Sequence, residues 1–219
     1  MYKKSFHAFQ KKYIAENKNS LKMRDYLLKE ISIKPDESSI LDVGCGSGLD
    51  LEFFNHIGFK KIAGIDITGS LVDIARENNP NAEIVHGSFQ ELEWQDNSFD
   101  TVWSKYALQV EKDVDKSIKE ISRVIKSGGH AFLQVTHPFR SLALNPSNNY
   151  FSEQKIVYTS QDDASQDFIE HHISLTTWIR ACISNGFKIT NFEEILNKDI
   201  KKYSGTITPS AVILILKKI

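Results

Sequence analysis

The stretch Leu41-Asp42-Val43-Gly44-Cys45-Gly46-Ser47-Gly48 decides how the rest of the chain is read. Before it runs an apolar segment (Ile40, Leu41, Val43). After it, Leu49, Phe53, Phe54 and Ile57 recur at helical spacing. The order is therefore strand, tight glycine turn, helix. Glycine admits positive φ and lets a ligand approach the backbone, because no Cβ intrudes. The first turn of the following helix presents unpaired N–H groups. A nucleotide-like ligand is the first expectation.

The pattern repeats downstream. Strands are expected at Ile40–Val43, Lys61–Asp66, Ala82–Val85, Phe99–Trp103, Ala131–Val135, Phe187–Phe192 and Ala211–Leu216. Helices are expected at Ser47–Ile57 and Ser70–Asn78, along the stripe Val114, Ile118, Ile121 and Ile125, and along Leu175, Trp178, Ile179, Cys182 and Ile183. Alternating strands and helices predict an α/β fold with a doubly wound, mostly parallel sheet. The last two strands have only a loop between them, so an antiparallel hairpin should end the sheet. Residues 1–34 read as helical, with a break expected at Asn17–Ser20. Residues 136–170, rich in Pro, Asn, Ser and Asp, interrupt the rhythm as a lid or insertion, with a short hairpin around Lys155–Thr159. At 219 residues the chain fits one domain: a helical cap (1–34), a ligand-binding core (35–135), the insertion (136–170) and a closing helix and hairpin (171–219).

Composition narrows the partners. A formal net charge of −1 gives no broad basic footprint, so neither nucleic acid nor an anionic membrane is expected as partner. The longest apolar run, Ala211–Leu216, is far too short to span a bilayer, and the N-terminus lacks an apolar signal core. The two cysteines, Cys45 and Cys182, form no metal-spaced or disulfide-dense set. A cytoplasmic protein is the expectation; its oligomeric state is not read from the sequence.

The spacing of the turn sorts the ligands. A dinucleotide fingerprint would place its third glycine at 49, where Leu49 stands, and a phosphate loop would need Gly-Lys-Ser/Thr. Asp42 just before the turn would repel a pyrophosphate and suits a ligand carrying a positive amino group.

With these residues in view, the chain resembles the class I S-adenosylmethionine-dependent methyltransferases. Leu41–Gly48 looks like their first motif and Gly64-Ile65-Asp66 like their second. Gly87-Ser88-Phe89-Gln90-Glu91-Leu92 occupies the adenine-flanking turn, and Asn97–Val102 with Glu120–Gly129 resembles the fourth strand and the helix that follows. The resemblance covers roughly residues 35–135. It implies a Rossmann-like seven-stranded sheet, S-adenosylmethionine as cofactor and S-adenosylhomocysteine as product. It implies that Asp42 meets the cofactor's amino group, that Gly44, Cys45 and Gly46 pass close to the methionine and ribose, and that Asp66 bridges the ribose diol. Ile67 would lie against the adenine, with Ser88 and Phe89 at its other face and edge. The family often has an acid where Ser88 stands, so that contact is weaker here. Ser104 and Tyr13 complete the implied cofactor set, Tyr13 from an N-terminal lid.

Methyl transfer from a sulfonium needs alignment above all. A base is required only where the nucleophile carries a proton. His137, beyond the fifth strand, is the base candidate, because imidazole titrates near neutrality. His171 and His172 are expected to open the helix at Ser174–Ser184, one facing in, and Tyr106 is a contact candidate for cofactor or acceptor. No matching carboxylate pair accompanies the histidines, so no metal is expected. Ser104-Lys105-Tyr106-Ala107 stands where exocyclic-amine and glutamine methyltransferases carry Asn/Asp-Pro-Pro-Tyr. A small-molecule acceptor, methylated on oxygen or nitrogen, is the leading expectation. A protein or carrier-bound acceptor, which an exposed apolar rim on the insertion would favour, is the alternative. A cofactor-binding regulatory protein without catalysis is the third reading.

Overall fold

The structure is a computed structural model that describes residues 18–30, 33–144, 149–159, 167–196 and 208–219. The chain begins with helix α1 (Lys18–Lys29) and then alternates: β1 (Ser39–Val43), α2 (Leu49–His56), β2 (Lys61–Asp66), α3 (Gly69–Asn78) and β3 (Glu83–His86). β4 (Phe99–Lys105) leads through a 3₁₀ turn (Leu108–Val110) to α4 (Val114–Val124) and β5 (Ile125–Thr136). Then come α5 (Pro138–Leu144), β6 (Gln154–Thr159), β7 (Asp167–His172), α6 (Leu175–Ser184), β8 (Phe187–Leu196) and β9 (Pro209–Lys218).

Seven strands form one sheet in the order β3-β2-β1-β4-β5-β9-β8. The pairs from β3 to β5 are parallel; β9 runs antiparallel to both β5 and β8. The expected mostly parallel sheet ending in a hairpin is therefore present, with β9 inserted between β5 and β8. The strand order reverses between β1 and β4, and such a switch point opens a crevice at the carboxyl ends of the strands.

Both faces are covered. On one, Val114, Ile118, Ile121 and Val124 of α4 and Trp178 and Cys182 of α6 pack on Leu41, Val102, Leu133 and Leu214. On the other, Met23 and Leu27 of α1 and Leu51 and Phe54 of α2 pack on Ile40, Trp103, Phe132 and Ile213. Each fully buried aliphatic side chain contributes about 1.5–3 kcal/mol. Alternate residues of β1 serve opposite faces, Leu41 and Val43 one and Ile40 the other, as the strand period requires.

Several expectations are corrected. Lys18–Ser20, expected as part of a break, are the first residues of α1. β5 starts at Ile125, six residues before the expected Ala131, because Gly128 at φ 78° turns the chain within the strand. The insertion contains a helix, α5, that the sequence did not announce. The hairpin expected near Lys155–Thr159 is present as β6 paired antiparallel with β7. His171 and His172 belong to β7; α6 starts later, at Leu175, with the Ser174 side chain capping the N–H of Thr177.

Candidate active site

Three glycines shape the turn after β1: Gly44, Gly46 and Gly48 have φ of 78°, 53° and 84°. The amides of Gly44 and Cys45 both donate to Ile65 O, at 2.8 and 3.0 Å, which fastens the turn to β2. A Cβ on Gly44 would lie 2.2 Å from Ala107 Cβ, so this glycine is demanded by packing as well as by φ. Gly46 differs: a Cβ there would meet no described atom within 4 Å. Its Cβ side is clear of the described residues, just beyond the carboxyl end of β1.

Asp66, the last residue of β2, accepts from Gly46 N (2.9 Å) through Oδ2 and from Thr68 N (2.8 Å) through Oδ1. One carboxylate thus positions the glycine turn and the chain leading to α3. Ile67 beside it is 61% exposed, an apolar platform next to the acid.

Asp42 is 3% exposed. Among the described residues no donor reaches its carboxylate. Burial, then the nearby Asp50 and Asp66, push its pKa well above the usual range, against the pull of Lys105 and Arg24. Asp50 titrates the other way. Burial opposes its charge too, but Lys105 and Arg24 outweigh that and hold it below the ordinary value. The contacts account for the contrast. Arg24 of α1 donates to Asp50 Oδ1 from Nε (2.9 Å) and Nη2 (2.6 Å), Lys105 Nζ lies 2.6 Å from Oδ2, and Trp103 Nε1 donates to Oδ2 at 3.3 Å. The sequence reading missed this cluster. Only the position of Lys105 at the end of the fourth strand pointed to it.

The other expected site residues divide. Cys45 is buried, and burial with Asp42 and Asp66 nearby pushes its thiol far up, so it is a packing residue with no nucleophilic character. Ser104 is 1% exposed and donates to Val43 O at 2.8 Å, tying the end of β4 to that of β1. Phe89 is buried in the core, so its ring is not a free flank for a ligand, whereas Ser88 is partly exposed. Tyr13 lies outside the described residues.

Tyr106 follows β4 with φ 55°, a conformation that a bulky residue takes at a cost of order 1–3 kcal/mol. Its amide donates to Gln134 O (2.7 Å) and its hydroxyl accepts from Gln134 Nε2 (2.7 Å). Gln134 and Gln109 each bury an amide oxygen that receives no hydrogen bond from the described residues.

His137, the base candidate, is held at both ring nitrogens. Its side chain is fully buried, Nδ1 accepts from Phe139 N (3.1 Å), and Nε2 faces Glu194 Oε1 at 2.8 Å. An Nδ1 that accepts leaves the proton on Nε2, which donates to Glu194. Both nitrogens are engaged, and burial lowers the pKa despite Glu194. His172 is also buried, its Nδ1 2.5 Å from Ser141 Oγ and its Nε2 2.9 Å from Tyr150 O. His171, next to it, is partly exposed, as strand alternation requires. Glu170 is buried, accepting from Thr136 Oγ1 (3.0 Å) and Arg140 Nη1 (3.1 Å). The Thr136 bond fastens β7 to the end of β5, and the Arg140 bond ties β7 to α5. Among the described residues no group of three His, Cys, Asp or Glu side chains is placed to hold a metal, and no helix is long and apolar enough to cross a membrane.

The donor set fits S-adenosylmethionine. Asp42 is a buried carboxyl that no donor among the described residues reaches, Gly46 carries no side chain, Asp66 stands at the end of β2, and Ile67 offers an apolar surface beside it.

Comparison with known proteins agrees. Residues 41–133 match the family model described as a methyltransferase domain. A demethylmenaquinone methyltransferase from Chlorobaculum tepidum is 32% identical over 97 residues, 44% of this chain and 40% of that protein. One from Staphylococcus aureus is 31% identical over 111 residues, 48% of this chain and 46% of that protein. The match spans less than half the length of these curated relatives. Two solved structures share the fold. A SAM-dependent methyltransferase from Methanosarcina mazei has TM-score 0.70 and 22% identity, with 88% of this chain and 97% of that one covered. An S-adenosylmethionine dependent methyltransferase from Mesorhizobium loti has TM-score 0.70 and 16% identity, with 94% and 100% covered. Turn, sheet order and domain match converge: residues 41–133 match a methyltransferase domain, and the fold is the one shared by the S-adenosylmethionine-dependent methyltransferases of solved structure.

Proposed function

We propose that this chain moves a methyl group from S-adenosylmethionine to an oxygen or nitrogen of a small molecule by in-line displacement, leaving S-adenosylhomocysteine. The observation that carries the reading is the buried Asp42, which no donor among the described residues reaches, together with the glycine turn at Gly46 and the Asp66 carboxylate that holds it. The sulfonium brings an already activated methyl, so the protein's work is alignment and exclusion of water. Asp42 takes the ammonium of the amino-acid end, Asp66 the ribose hydroxyls, and Ile67 the adenine face. The Gly44–Gly46 backbone allows close approach. His137 is committed to Glu194 and Phe139, so a protonated acceptor would be served by Tyr106 or His171 at the same edge. The names of the relatives, demethylmenaquinone methyltransferases, support a small-molecule acceptor.

One observation favours a second reading. The insertion exposes Phe151 (85%), Val157 (56%), Ile169 (45%) and Phe139 (42%). Val157 and Ile169 are directly paired across β6 and β7. Such an apolar rim suits an acceptor presented by a protein or carrier better than one fully enclosed. Incubation with methyl-labelled S-adenosylmethionine and a fractionated cell extract separates the two. Label in a small-molecule fraction supports the first reading, and label only on macromolecules supports the second. Failure of the pure protein to bind S-adenosylhomocysteine would overturn both.

A further inference from the structure

We propose that Lys105 is the residue that recognises the carboxylate of the cofactor's amino-acid end, opposite Asp42. The proposal rests on the cofactor reading above and extends it to the other half of a zwitterion. An α-amino acid brings one cation and one anion into a buried site, and both need partners there. Asp42 answers only the ammonium.

The sheet places the second charge. Asp42 pairs in register with Trp103, and Lys105 lies two residues further along β4, so all three side chains project to the same face. Strand spacing and rise put the Asp42 and Lys105 backbones roughly 8 Å apart, a gap that two side chains and a small zwitterion fill. The Lys105 side chain is only 11% exposed, and its charge is felt at Asp42. Of the two cations in the cluster, Arg24 is directed at α2: Nε and Nη2 donate to Asp50 Oδ1, Nη2 also to Leu49 O (3.3 Å), and its guanidinium lies 4.4 Å from the Phe53 ring centre, whereas Lys105 stands on β4 on the same face as Asp42. Lys105 has three donors, and the described contact is the one to Asp50. Asp50 therefore positions Lys105, holding the ammonium at the carboxyl edge of β4. Without it, a flexible four-carbon stem would carry that charge into solvent. Arg24 shares Asp50 and so fixes the carboxylate from the α1 side.

Three ligands and calorimetry test the assignment on the full-length protein. S-adenosylhomocysteine carries both charges, its decarboxylated analogue only the ammonium, and 5′-methylthioadenosine neither. In the wild type, loss of the carboxylate should weaken binding roughly tenfold, the size of one charge-assisted hydrogen bond. In Lys105→Met that difference should shrink to less than threefold, with methylthioadenosine affinity unchanged, and Lys105→Arg should restore part of it. A merely structural role would weaken all three ligands alike. If Lys105→Met does not fold, Lys105→Gln, which keeps a polar but uncharged head at this position, carries the same comparison. An undiminished carboxylate preference in the variant that folds overturns the assignment, as does a wild type that binds the two amino ligands equally. A wild type that binds none of the three overturns the cofactor reading instead.

Discussion

Asp66 Oδ2 accepts the backbone N–H of Gly46 at 2.9 Å, so the acid ending β2 and the middle of the glycine turn after β1 are one hydrogen-bonded unit. A second oxygen of the same carboxylate holds Thr68 N. Asp66→Asn should keep the fold, because an amide oxygen can still accept from one of these amides. It should lower S-adenosylhomocysteine affinity by about tenfold or more, since a charged acceptor for paired hydroxyls is lost. Titration calorimetry alongside a thermal melt checks this; unchanged affinity would remove Asp66 from the site.

Asp42 sets stability against function. Its folded-state pKa is raised by burial and by Asp50. The sign follows: the folded form holds its proton to higher pH than the unfolded one, so ionising Asp42 destabilises the ligand-free protein above the unfolded carboxylate pKa. Asp42→Asn should therefore stabilise the ligand-free protein at pH 7 by about 1 kcal/mol. The same change should weaken S-adenosylhomocysteine binding by at least tenfold, through loss of the ammonium's partner. Denaturant melts with and without ligand measure both. A variant less stable than wild type at pH 7 contradicts the argument.

The two glycines of the turn should separate under the same substitution. Gly44→Ala places a Cβ 2.2 Å from that of Ala107, so the fold itself should lose about 1–3 kcal/mol. Gly46→Ala meets open space and costs only the left-handed strain, about 1 kcal/mol. Its methyl would stand where a ligand's backbone approach is needed, so binding should fall further than stability. Chemical denaturation and ligand titration on both variants decide; equal ratios of binding loss to stability loss would place the ligand elsewhere.

His137 is expected to behave as a structural histidine. Burial lowers its folded pKa, and it lowers that of His130 as well. The unfolded chain then takes up protons that the folded chain refuses. The stability contributed by neutral His137 is fully present above the unfolded pKa of about 6.5 and is lost as pH falls through the folded value. The melting temperature should therefore fall between pH 7.5 and 5.5, and His137→Gln should flatten that slope. At pH 7.5 the same variant should lose about 1–3 kcal/mol, the cost of leaving the Phe139 or Glu194 partner unmatched. Its rate with a saturating acceptor should fall no further than the folded fraction does; a loss of a hundredfold or more would return His137 to the role of base.

The sequence by itself determined the cofactor half of this protein. Glycines at 44, 46 and 48 between an apolar run and a helical period leave few conformations, and an acid at the end of each of the first two strands needs only local spacing to be found. The alternation of strand and helix likewise dictates a doubly wound sheet, because parallel neighbours require crossovers. Boundaries within that half moved by a few residues where a glycine such as Gly128 let a strand begin early. What only the tertiary structure decided is which polar side chains are spent. His137 looked available because its sequence neighbours are silent. Glu194, which occupies it, arrives from β8, far along the chain. His171 and His172 looked like a helix start until β6 paired with their strand. Arg24, Asp50 and Lys105 come from α1, α2 and β4 and meet only because the sheet sets β1 beside β4 and packs both helices on one face. Helix and strand periods are written in neighbouring residues, whereas a buried charge is matched by whatever the fold brings alongside it.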